Sequence, residues 1–155
     1  MLLLASILLI AAGSPDNQCE GKENAPYLSA GYVELGARVL GAAPPYEFAV
    51  SLACRRDNSR WTLFLLKDMN AGMARTPNWV TRALLTIPRP DPGFTVACHC
   101  FLGEQKDSEL IAVVRESNSS RFSVIRRAWR ADRRRELFVE VPTTNISCVN
   151  ELNEQ

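Results

Sequence analysis

Three potential metal ligands stand together at Cys98-His99-Cys100, the side-chain types that hold zinc through thiolate sulfur and imidazole nitrogen. On a β-strand, successive side chains point to opposite faces, which separates His99 from both thiols. His99 is the only histidine, and no Cys-x-x-Cys or His-x-x-x-His pair accompanies it. The pattern therefore predicts no zinc site and no cofactor. A Cys–His dyad fails for the same reason, because the imidazole must approach the thiol to activate it. A serine nucleophile would depend on His99 as well, and no Gly-x-Ser-x-Gly turn presents one. His99 is expected at the surface or rim, and no enzymatic centre is predicted.

Acidic and basic residues offer two further chemistries. Glu104, Asp107 and Glu109 supply the hard oxygens that calcium prefers. They lack the alternating Asp spacing that aims several oxygens at one ion, and a solvated turn is the simpler expectation. The segment RRAWRADRRRE places six arginines between positions 126 and 135. Arg126, Arg127, Arg130, Arg133, Arg134 and Arg135, with Trp129 as a stacking surface, are candidates for binding an anion, an acidic glycan or a partner protein. The competing expectation is a hairpin tip with its turn near 131–134, where Arg126 and Arg130 face Glu136 and Glu140 across the ladder. Asn118-Ser119-Ser120 and Asn145-Ile146-Ser147 are N-glycosylation sequons if the chain passes through a eukaryotic secretory pathway.

The chain has 155 residues, 46% of them hydrophobic and 23% charged, enough to bury a core in one domain. Its formal net charge of +1 gives no long-range attraction to nucleic acid. Residues 1–13, MLLLASILLIAAG, form an apolar run too short for a membrane-spanning helix. Ala11 and Gly13 suit a signal-peptidase cut before Ser14. That predicts a secreted or periplasmic protein with no membrane span in its mature chain.

Cys19, Cys54, Cys98, Cys100 and Cys148 are spread along that mature chain, as a disulfide framework would be in an oxidising compartment. Five cysteines allow two bridges and one thiol in fifteen ways, five choices of thiol times three pairings. With Cys98 and Cys100 on one strand, the preferred pairings join Cys54 to one of these two, and Cys148 to the other or to Cys19.

These residues must be positioned by strands. Residues 14–30 read as a polar N-terminal arm, followed by a β domain over 31–155. YEFAVSLAC (46–54) and RWTLFLLK (60–67) flank RRDNS and predict a hairpin. NWVTRALLTI (78–87) fits a short helix capped by Asn78 and stopped by Pro88 and Pro90, or a strand alternating through Trp79, Thr81, Ala83, Leu85 and Ile87, and the strand is favoured. GFTVACHCFL (93–102), ELIAVVR (109–115), RFSVIRRAW (121–129) and ELFVEV (136–141) complete the series. Short strands at this spacing predict an all-β, mostly antiparallel, disulfide-stabilised domain: a sandwich, a barrel or two propeller-like units.

An internal similarity links the regions of about 36–67 and 93–130. Arg55, Asn58, Ser59, Arg60 and Trp61 align with Arg115, Asn118, Ser119, Arg121 and Phe122, and each copy follows an apolar strand that begins with Glu47 or Glu109. A duplicated strand–turn–strand unit is the economical reading. GARVLGAAPPYEFAVSLACRR (36–56) and FLGEQKDSELIAVVRE (101–116) resemble degenerate FG-GAP-type repeats of integrin-like propellers and small exported bacterial proteins. In such repeats a strand leads into an Asp-rich calcium loop and then an apolar strand. Phe101, Gly103 and Glu104 fall at loop positions, whereas the first copy keeps Ala43, Pro44 and Pro45 in place of the loop. The resemblance implies an exported β-repeat module. The expectation is a non-enzymatic interaction module binding a protein or an acidic glycan. The alternatives are anion binding through the arginine hairpin and a small glycan hydrolase using a carboxylate pair.

Overall fold

The computed structural model describes residues 19, 25–28, 31–55 and 60–153, with the side chain of Leu152 left aside. The signal segment 1–13 and most of the arm lie outside the described residues. Twelve strands run in order: β1 (Tyr32–Leu40), β2 (Phe48–Arg55), β3 (Trp61–Asp68), β4 (Trp79–Ile87), β5 (Phe94–Ala97), β6 (Cys100–Leu102), β7 (Gln105–Asp107), β8 (Leu110–Arg115), β9 (Arg121–Phe122), β10 (Ile125–Asp132), β11 (Leu137–Val141) and β12 (Ile146–Val149). Every pairing is antiparallel, so the all-β expectation holds. The chain divides between Arg89 and Pro90 into two compact units.

The N-terminal unit holds one sheet in the order β1-β2-β3-β4. β2 and β3 are near-continuous apolar runs with buried side chains on both faces, the pattern of central strands. β4 lies at the edge and alternates half-buried with exposed positions. One face carries the cluster Ala49, Ala53, Phe64 and Leu66, packed against Tyr27, Leu28, Tyr32 and Trp79. Residues of the N-terminal arm thus cover part of this sheet. Cys19, also in the arm, is bonded to Cys54 on β2.

The C-terminal unit has two four-stranded sheets, β11-β10-β8-β5 and β7-β6-β12-β9. They share a core in which Ala97, Leu110, Ala112, Val114 and Ala128 of the first meet Cys100, Phe122, Ile146 and Cys148 of the second. This is the two-layer arrangement of a β-sandwich. The run 93–102 is not a single strand: it leaves one sheet at Ala97 and enters the other at Cys100. The run 121–129 likewise splits into β9 and β10, in different sheets. Both breaks occur where the chain crosses the layers.

Of the two segments aligned in sequence, the first forms the β2–β3 hairpin, whereas in the second β8 pairs with β10 only after β9 has run in the other sheet. Each opening glutamate accepts a backbone hydrogen bond from the returning strand, Glu47 from Asp68 and Glu109 from Ala131, both at 2.8 Å. The two segments differ beyond that. Trp61 stands opposite Cys54, whereas its counterpart Phe122 stands opposite Cys148 in the other sheet.

The disulfides are Cys19–Cys54 and Cys100–Cys148, with Cys98 buried and in neither. This corrects the expected partner of Cys54. The expectation assumed one strand through Cys98 and Cys100, and the crossing at Cys98-His99 removes that premise. Cys100 meets Cys148 because β6 and β12 are neighbours with these two residues opposite each other.

Candidate functional site

The arginine segment occupies β10 and the tip of the β10–β11 hairpin. Its turn spans 133–136, two residues later than expected, and Glu136 takes the left-handed conformation at φ 53°. Asp132 accepts a hydrogen bond from the backbone N–H of Arg135 at 2.9 Å, closing the turn. With this turn, Trp129 stands opposite Glu140, so Arg127, on the same face one step along, reaches that carboxylate. Arg127 donates to Glu140 through Nε at 2.9 Å and Nη2 at 3.0 Å. This bidentate pair holds the Glu140 carboxyl below the usual carboxylate range and raises the guanidinium. The pairing of Arg126 and Arg130 with Glu136 and Glu140 is therefore not the one formed.

Arg130 instead connects the two sheets of the sandwich. Its Nη2 donates to Asp107 of β7 at 2.6 Å and its Nη1 to Glu109, in the β7–β8 turn, at 3.2 Å. Arg133 adds a bond from Nε to Glu109 at 2.6 Å. Both carboxylates are four-fifths covered, with 19% of their side-chain surface exposed. Hydrogen bonding to Asp107 is the main cause that raises the Arg130 guanidinium, against the opposing effect of burial. The calcium candidates thus divide: Glu104 is exposed in the β6–β7 turn, and Asp107 and Glu109 are engaged by cations. Among the described residues no three His, Cys, Asp or Glu side chains come together as a metal-ligand set.

The remaining hairpin residues follow the same pattern. Arg126 donates to Asp91 and lies over the Phe94 ring, 4.2 Å from its centroid. Arg135 approaches Asp132 at 4.0 Å, while Arg134 is exposed and makes no ion pair among the described residues. Trp129, expected as a stacking surface, is 3% exposed and lies beneath the Arg127 guanidinium, which is 4.9 Å from the ring centroid, so it offers no open face. A run that reads as a block of positive charge is, in three dimensions, largely a set of ion pairs.

A second group of side chains lies on the β7-β6-β12-β9 sheet, on the face away from the shared core. Register places Lys106, Phe101 and Ser147 side by side on β7, β6 and β12, with Arg121 on β9 opposite Val149. The Arg121 guanidinium lies 4.2 Å from the Phe101 ring centroid. His99 stacks beside the same ring, with centroids 6.2 Å apart and planes 14° from parallel, and its Nδ1 is 3.6 Å from Glu151. Lys106 and Arg121 are exposed and form no ion pair among the described residues. Sequence reading missed this face because its residues come from four short strands.

The N-terminal unit contains one polar cluster beneath the arm. The Tyr27 hydroxyl donates to Glu34, and Ser51 donates to the same carboxylate at 2.6 Å. Burial and the neighbouring carboxylate push the Tyr27 phenol well above its ordinary range. Ser51 is fully buried, so the cluster ties the arm to the sheet. Both sequon asparagines, Asn118 and Asn145, are exposed, and Asn145 has φ 61°. Among the described residues no helix is long and apolar enough to cross a membrane. No family model, curated protein or solved structure matches the chain.

Proposed function

We propose that this chain is an exported, secreted or periplasmic interaction module that binds a protein or an acidic glycan and has no catalytic centre of its own. The carrying observation is the pair of disulfides, one joining the arm to β2 and one lying in the sandwich core. Disulfides persist in oxidising compartments and are rare in the reducing cytosol. The apolar segment before Ser14 agrees with that destination. A carboxylate-pair hydrolase is less well supported, because the close acids Asp107 and Glu109 are neutralised by Arg130 and Arg133 instead of facing an open cleft.

Intact mass of the protein from its native host, before and after reduction with alkylation, tests the reading. The expected chain begins at Ser14 and has four of its five cysteines oxidised. A chain that retains Met1 and carries five free thiols would overturn it.

A further inference from the structure

We propose that the outer face of the β7-β6-β12-β9 sheet binds a sulfated glycan, with Arg121 and Lys106 as the sulfate-binding cations. The inference rests on the reading of the chain as an exported binding module and gives that module a ligand class and a location. The choice follows from where exposed cations without a carboxylate partner gather at an aromatic ring, which Arg134 at the hairpin tip does not do among the described residues. On the hairpin, Arg126, Arg127, Arg130 and Arg133 are each already bonded to a carboxylate. An incoming anion would have to displace that partner, which offsets most of the new attraction. Lys106 and Arg121 are exposed without an ion pair among the described residues, so an anion meets them without that cost.

Arg121 is also held in place. Its guanidinium makes a cation–π contact over Phe101, 4.2 Å from the ring centroid. A side chain fixed before binding loses less conformational freedom on binding, and the planar guanidinium presents paired N–H groups suited to a sulfate. Lys106 and Arg121 start from the two outermost strands of this sheet, with Arg121 two residues along from the row formed by Lys106, Phe101 and Ser147. Between them lie the Phe101 ring and the half-buried Ser147. The Arg121 guanidinium reaches back to within 4.2 Å of the Phe101 centroid, the residue that Lys106 directly pairs, so both cations address one stretch of ligand around the ring edge and the Ser147 hydroxyl. Two cations gathered at one ring with a hydroxyl beside them suit a sulfate and the neighbouring hydroxyls of a sugar chain. A nucleic acid is disfavoured because Arg121 occupies the Phe101 face on which a base would stack.

The test uses the full chain and a heparin-derived dodecasaccharide as the sulfated probe, with its chemically desulfated form and a single-stranded oligonucleotide as comparators. The expected result is calorimetric binding of the sulfated probe that weakens as salt rises. Combined Arg121→Ala and Lys106→Ala substitution should lower the affinity by about tenfold or more. Combined Arg134→Ala and Arg135→Ala substitution should leave it within about twofold. Lys106→Ala alone, at an exposed position, keeps the test decisive if loss of Arg121 unfolds the sheet. Wild-type affinity in the Lys106 and double variants would overturn the site, as would loss of binding in the hairpin variant. Equal binding of the desulfated probe or the oligonucleotide, or no binding of the sulfated one, would overturn the ligand class. Each of these outcomes leaves the mature mass and disulfide state untouched, so failure of the site is distinguishable from failure of the exported-module reading.

Discussion

Arg130 and Arg127 each make two hydrogen bonds to carboxylates from β10, yet their surroundings give them different weight. Arg130 and its two carboxylate partners are mostly covered, so water and salt screen the network weakly, and removing the guanidinium leaves Asp107 without its cation and Glu109 with Arg133 alone. Arg130→Ala should lower unfolding free energy by about 1–3 kcal/mol, measured by urea denaturation. Arg127 and Glu140 are each about half exposed, so Arg127→Ala should cost less, and its cost should vanish at high salt. If Arg127→Ala is the more damaging variant in high salt, the clasp assigned to Arg130 is wrong. The arginine run itself was legible in the sequence, and so was its tendency towards local pairing. The identities of the partners were not, because they depend on a turn two residues further along and on acids brought in from β7 and its following turn.

At the scale of elements, the strands at 48–55, 61–68, 79–87 and 110–115 follow closely from apolar runs and alternation. What the pattern conceals is a strand that changes sheets. Cys98-His99 and Ser123-Val124 contain no Gly, Pro or Asn to mark a break, so each run reads as one piece. The hidden crossing also explains the mistaken partner for Cys54 and the unnoticed face around Phe101. The β6–β7 hairpin that presents Phe101 and Lys106 is reversed by a two-residue turn, Gly103-Glu104. Gly103 has φ 61°, and a Cβ added there would touch nothing within 4 Å, so conformation alone demands glycine. Gly103→Ala should therefore cost about 1 kcal/mol or more, and Gly103→Asn should cost less because asparagine tolerates the left-handed region. Equal thermal stability of Gly103→Ala and the parent would contradict the turn as described.

For the whole molecule, composition and cysteine count pointed to a disulfide-bonded β protein, and the structure agrees. Connectivity was beyond the sequence, since fifteen arrangements of five cysteines satisfy the same spacing and only strand adjacency selects one. The two bonds lie one in each compact unit, so neither unit depends on the other for its covalent link. Cys98 is buried at 7% exposure, which shields its thiol from exchange with either bridge. The most direct test of the exported, disulfide-bonded module is a peptide map of the unreduced protein from its native host, with alkylation before and after unfolding. The prediction is linked peptides for Cys19–Cys54 and Cys100–Cys148, with Cys98 alkylated only once the chain is unfolded. Five cysteines alkylated without reductant would contradict the compartment, and a link between Cys54 and Cys98 or Cys100 would contradict the fold.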